Sequence, residues 1–202
     1  MSTPSIVDLV TSQLGPQGIQ ALGQQLGLDP ATTQKAVSAA IPLLTGGLAK
    51  NAATPQGAAS LHQAVSRDHD GSILDNLGGL LSGGGGDMGG AILGHIFGNR
   101  QGGAADGLAR TAGIDAGTAG QLLMMLAPVI LGALGKMTRT QGLDTGGLTD
   151  VLNNSHAQAQ AQAPSGLGAV LGSLLDQDKD GSMVDDLARM GGGLLGGLFG
   201  KK

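Results

Sequence analysis

GLDPATTQKAVSAAIPLLTGGLAK, residues 27–50, and GIDAGTAGQLLMMLAPVILGALGK, residues 113–136, align without a gap at a constant offset of 86. The alignment sets Asp29 on Asp115, Pro42 on Pro128, Gly46 on Gly132, Leu48 on Leu134 and Lys50 on Lys136. In the first stretch Asp29 reads as an N-cap with Pro30 at the first helical position, so a helix is expected from there to about Ala49. Pro42 lies inside it and cannot donate to the carbonyl of Ser38, which predicts a kink. Such a pair of matching helices indicates an internal duplication, and the whole chain can be read outward from it.

Upstream, Ser5 opens an apolar-periodic run (Ile6, Leu9, Val10, Leu14) that stops at Gly15-Pro16, and a second short helix from Ile19 to Leu26 stops at Gly27. Glycine after the last periodic residue is a helix stop. Another helix is expected over 57–65. Further on, Asp68 to Asp75 matches Asp178 to Asp185 at an offset of 110, and Gly90 to Gly98 matches Gly192 to Gly200 at an offset of 102. The first change of offset reflects a linker at 153–166 with the low-complexity core HAQAQAQAPSG. The second reflects the longer glycine run Gly83 to Gly86 in copy one. Each copy reads as helix, kinked helix, short helix, Asp-rich loop and Gly-rich helix. No segment alternates strictly with period two. The expected fold class is all-α, with two homologous multi-helix units at 1–98 and 99–202, Gly-rich helices and Asp-rich loops.

Composition narrows the function. The 202 residues include 39 Gly, no Trp, Tyr or Cys and only two Phe, Phe97 and Phe199, so aliphatic side chains and Met must fill the core. So much glycine lets backbones approach closely or leaves parts of the chain loose. A net charge of -4 disfavours a nucleic-acid surface, which needs clustered Lys and Arg. The shortage of aromatics removes base-stacking platforms. Without cysteine there is no disulfide, thiolate metal site or cysteine nucleophile. The start MSTPSIVDLV lacks the basic and apolar regions of a signal peptide, so the default expectation is cytoplasmic. The apolar run Leu122 to Gly135 is shorter than the ~20 residues that cross a bilayer, and is read as a central core helix. The last helix, MGGGLLGGLFGKK, has small residues four apart, at Gly193 and Gly197 and at Gly196 and Gly200, suited to close helix packing.

The segments GHIFGNRQ, LARTAGID and LLMMLAPVILGALGK, followed by DQDKDGSMVDDL and the Gly-Leu tail, resemble the YidB-like bacterial family of unknown function. The likeness extends over nearly the whole chain, with copy two and Gly94-His95-Ile96-Phe97-Gly98 nearest the pattern. Copy one departs at Ser66, where the first loop aspartate would stand. The resemblance implies an all-helical bacterial protein with no accepted activity and no catalytic residues to carry over.

The chemistry of the chain is concentrated in DQDKDGSMVDD, residues 176–186. Asp176, Asp178 and Asp180 fill positions 1, 3 and 5 of an EF-hand loop, Gly181 fills position 6, and the Ser182 carbonyl can serve at position 7. Met183, at position 8, is apolar, as a residue tucked against the core would be. Leu187 stands where an EF-hand has its closing Glu, so Asp185 or Asp186 must supply that oxygen and weak or variant calcium binding is expected. Capping competes as an explanation. Ser182 with Asp185 forms a capping-box arrangement, as do Ser72 and Asp75 in copy one. Capping does not explain three alternate carboxylates, whose mutual repulsion favours a cation. The copy-one loop, 66–76, offers Ser66, Asp68, Asp70, Ser72 and Asp75, a weaker set because Ser66 removes one charge.

The four histidines, His62, His69, His95 and His156, lack the spacing of a helical zinc pair and are read as structural or solvated. Gly83 to Gly86 lacks the Gly-Lys-Ser/Thr ending of a phosphate loop, and no nucleophile and base pair is evident. The expected function is therefore a non-enzymatic structural or interaction protein with an EF-hand-like calcium loop, capable of self-association and without a small-molecule substrate. The alternative is a membrane- or envelope-associated protein that uses its Gly-Leu segments as amphipathic inserts.

Overall fold

The computed structural model describes residues 6–67, 71–79 and 86–162. All regular structure there is helical. The elements are α1 (Ile6–Leu26), α2 (Pro30–Ala52), α3 (Pro55–Arg67), a 3-10 turn (Ser72–Asn76) running into the single turn α4 (Leu77–Gly79), α5 (Gly86–Phe97), a 3-10 turn (Gly98–Arg100), α6 (Gln101–Ala112), α7 (Ala116–Gln141) and α8 (Thr145–Gln162). Within α1 the two short helices meet at Gly15 (φ 53°, ψ -174°), with Pro16 following.

The matched stretches make the same local structure. Gly27 (φ 67°) ends α1 and Gly113 (φ 78°) ends α6, each in the left-handed region that a residue with a side chain enters at a cost. Two residues on, Asp29 accepts from the amides of Ala31 and Thr32, both at 3.0 Å, and caps α2. Asp115 accepts from the amide of Thr118 at 2.9 Å and from its hydroxyl, and caps α7. In both cases these bonds satisfy helix-terminal donors and hold the carboxyl pKa below its ordinary value, with the threonine side chain the largest cause. Asp144 repeats the device for α8, accepting from the amide of Gly147 at 2.8 Å.

The two long helices, α2 and α7, cross at the centre, and one apolar core surrounds them. Leu43, Leu44 and Leu48 of α2 and Leu122, Leu126, Ile130 and Leu134 of α7 are buried. The smaller helices distribute over this pair. Both α1 and α6 touch both central helices, α5 and the Ser72 turn lie on α7, and α8 lies on α2. Core residues come from 6–98 and from 99–162 alike.

Two expectations are corrected. The apolar run 122–135 belongs to a helix of 26 residues whose most apolar window has a mean hydropathy of 1.7, so length alone does not exclude a membrane span. Most of that window is buried among the other helices, and this burial is what makes α7 a core helix. The expected linker is also helical as far as Gln162. Ala and Gln are good helix formers, and no helix breaker intervenes before Pro164. Leu152 and Ser155 of α8 are buried, and the Ile6 amide donates to the Ser155 hydroxyl at 3.4 Å.

Candidate functional site

Loop 176–186, with Asp176, Asp178, Asp180, Ser182, Asp185 and Asp186, lies outside the described residues, as does the Gly-Leu tail. In loop 66–76, Asp68 and Asp70 also lie outside them. What is described of loop 66–76 bears on how such a loop attaches. Ser66 is exposed near the end of α3, on the rim of a shallow cleft with His62, Arg139 and Asp144. Gly71 has φ 98°, the sharp turn expected of position 6, and its carbonyl accepts from the Leu74 amide at 3.1 Å. Ser72 is thus the first residue of a 3-10 turn, and the cap position falls on Gly71 rather than on Ser72 as the sequence suggested. Among the described residues no three His, Asp or Glu side chains gather as a metal site.

The turn is seated on α7. A Cβ on Gly71 would lie 2.8 Å from Cβ of Lys136 and 3.2 Å from the carbonyl oxygen of Gly132, so glycine is required there by contact as well as by φ. Ile73, at position 8, has its Cγ2 over the bare Cα of Gly132, and the buried Leu74 lies beside it. Position 8 is therefore tucked against the core, and its seat is a glycine and a lysine one helical turn apart.

Helix α2 carries the corresponding Gly46 and Lys50. There, a groove of about 280 Å³ opens between α2 and the end of α5, bounded by Leu43, Gly46, Lys50, Phe97 and Arg100. The α5 side of the groove is fixed by close packing and by Asn51. A Cβ on Gly47 would come within 2.5 Å of Ile96 Cγ2, and the Asn51 amide donates to the carbonyls of His95 and Ile96 at 2.9 and 3.2 Å. Partial burial, with a smaller contribution from the positive Arg100, lowers the pKa of Lys50. The described lining carries these two cations and no carboxylate. A second groove of about 650 Å³ lies on the other face of α5, against α3, with Leu61, Met88, Ile92 and His95 on its walls.

Of the four histidines, His69 lies outside the described residues. His62 Nε2 lies 3.0 Å from the Leu143 carbonyl and ties α3 to the turn before α8. His156 is half-buried, and burial lowers its pKa. His95 is exposed between the two grooves. Sequence reading missed Lys50, Asn51 and Arg100 as a group. The available signal was the repetition of Gly-x-x-x-Lys in the two matched stretches, at 46–50 and 132–136.

A family model described as a bacterial protein of unknown function, DUF937, matches residues 8–137, a span that contains α2 and all of α7 but its last four residues. No curated protein and no solved structure matches the chain.

Proposed function

For a chain that belongs to the DUF937 family of bacterial proteins, we propose a non-enzymatic structural or interaction role, in which calcium at residues 176–186 orders the start of the Gly-rich tail helix. In this reading the chain is a tandem duplication of YidB-like type. Copy two keeps the full carboxylate set, Asp176, Asp178 and Asp180 with Asp185 or Asp186, and copy one keeps the turn without the first aspartate. The cation offsets the repulsion among the carboxylates and fixes the backbone that enters the helix, and the Gly-Leu face then becomes available for a second copy of the chain.

The observation that supports this reading most is the seating of the copy-one turn. Gly71 turns sharply and Ile73 is anchored on α7, so a loop of this pattern sets where the next helix begins. Leu93 of α5 is buried, and Ile92 and Ile96 nearly so, which means the first Gly-Leu segment already spends its apolar face inside the fold and is poorly suited to insertion in a bilayer. Calorimetric titration of calcium into chelator-stripped protein tests the site. Heat is expected for the wild-type chain and none for a variant with Asp176→Asn, Asp178→Asn and Asp180→Asn. Absence of heat and of any thermal shift at millimolar calcium in the wild type defeats the proposal. Light scattering tests self-association, and a monomer at every concentration, with or without calcium, removes that part.

A further inference from the structure

We propose that residues 176–187 dock within the same molecule in the groove of α2, with Met183 over Gly46 and the loop backbone against Lys50. The inference rests on the duplication reading and is independent of calcium. Its starting point is the seat of the copy-one turn, where Gly71 lies on Lys136 and Ile73 on Gly132 of α7. Gly181 and Met183 stand at the positions of Gly71 and Ile73, while Gly46 and Lys50 stand at those of Gly132 and Lys136. On α7 the seat is filled. On α2 the described residues leave a groove there.

The arrangement of the helices points the same way. The copy-one elements that follow α3, namely the Ser72 turn and α5, lie on the central helix of the other copy. In copy two, α8, which follows α7 as α3 follows α2, also lies on the central helix of the other copy. A copy-two turn that continued this exchange would reach the α2 groove.

Charge and reach agree. Lys50 and Arg100 border the groove, and residues 176–187 hold five aspartates against the single Lys179. Opposite charges on facing surfaces favour this pairing over a neutral segment and fix its register. Residues 163–175 connect α8 to the loop and can span up to roughly 45 Å when extended. The α2 helix is only roughly 35 Å long, so the connection can deliver the loop to any point along it.

The chain has no cysteine, so paired cysteines report the contact directly. Full-length protein with Lys50→Cys and Ser182→Cys is treated with a short bis-maleimide, in chelator and again in calcium. The expected product is a monomer whose residues 50 and 182 are joined, as Ser72→Cys with Lys136→Cys should be joined on the seated turn. The crossed pair Lys136→Cys with Ser182→Cys should give little product, because the α7 seat is occupied. Adding Met183→Asp to the Lys50 pair should reduce bridging at least fivefold. If the Lys50 pair lowers the circular-dichroism melt, Asn51→Cys with Ser182→Cys replaces it.

Absence of the bridge while the Ser72 pair reacts overturns the docking, and so does a yield unchanged by Met183→Asp. Covalent dimers alone would make the occupant a second copy and also overturn it. A bridge without calcium heat leaves the docking and removes the calcium reading, and heat without a bridge does the reverse. The duplication has its own readout, since coil-like chemical shifts over 182–187, where 72–76 makes a helical turn, would remove it.

Discussion

Gly89 and Gly94 lie in the same helix, α5, yet Gly→Ala should change stability in opposite directions at the two positions. At Gly94 an added Cβ meets nothing within 4 Å, and the residue is exposed. Gly94→Ala should then show the ordinary helix preference for alanine, a gain of about 0.8–1.0 kcal/mol. At Gly89 an added Cβ would run into the carbonyl oxygen and carbon of Met124 and lie 2.9 Å from its Cα. These are main-chain atoms of the central helix, which has no rotamer to change. The methyl must instead push α5 away from α7. Overpacking costs about 1–3 kcal/mol, and a contact with rigid backbone belongs at the upper end. After the propensity gain is subtracted, the net loss is about 1–2 kcal/mol. In a chain of this size each kcal/mol moves the melting temperature by roughly 2–4 °C. Urea denaturation followed by circular dichroism measures both variants, with the m-value as the check that the same surface is exposed. A stabilised Gly89→Ala, or equal shifts for the two variants, would refute the close crossing of α5 on α7.

Asn51→Ala removes two hydrogen bonds that hold the last carbonyls of α5, at a cost of about 1–2 kcal/mol. Hydrogen exchange should show it as faster exchange confined to the end of α5 and the Gly98–Arg100 turn. The caps Asp29 and Asp115 have folded-state pKa values below the ordinary 3.8, so each contributes stability above that value that is lost as pH falls through the lower folded pKa. Asp29→Ala with Asp115→Ala should lower the urea midpoint at neutral pH, and the gap from wild type should narrow below pH 3.8. A gap that stays constant down to the acid limit would mean that the carboxylates do not cap in their charged form.

Much of the fold was legible because helix boundaries in this chain are set by short-range chemistry. Asp29 and Asp115 announce helix starts, and Gly27 and Gly113 announce stops, through bonds that span only a few residues. The helix over 153–162 is less legible, because low complexity marks the segment as a linker and gives no sign of its state, whereas Ala and Gln carry no helix-breaking chemistry and Leu152 and Ser155 supply a buried side. The membrane question was also decided by a local count of apolar residues, whereas α7 owes its place to what surrounds it. The burial of most of α7 comes from six other elements, and no window of sequence contains it.

The candidate site shows the same division more sharply. Alternate carboxylates can be recognised in a line of sequence because a loop site draws its oxygens from neighbouring residues, and loop 176–186 is legible as a candidate for that reason. The platform under such a loop cannot be recognised in this way. Gly132 and Lys136 look like ordinary members of an apolar helix until Gly71 and Ile73, some 60 residues away along the chain, are found seated on them. Once that contact is known, the second Gly-x-x-x-Lys, at Gly46 and Lys50, gains a meaning that helix periodicity does not give it. A repeated core glycine can be explained by packing alone, whereas the repeated lysine one turn later, beside a groove that Arg100 also lines, is what the proposed docking of residues 176–187 accounts for.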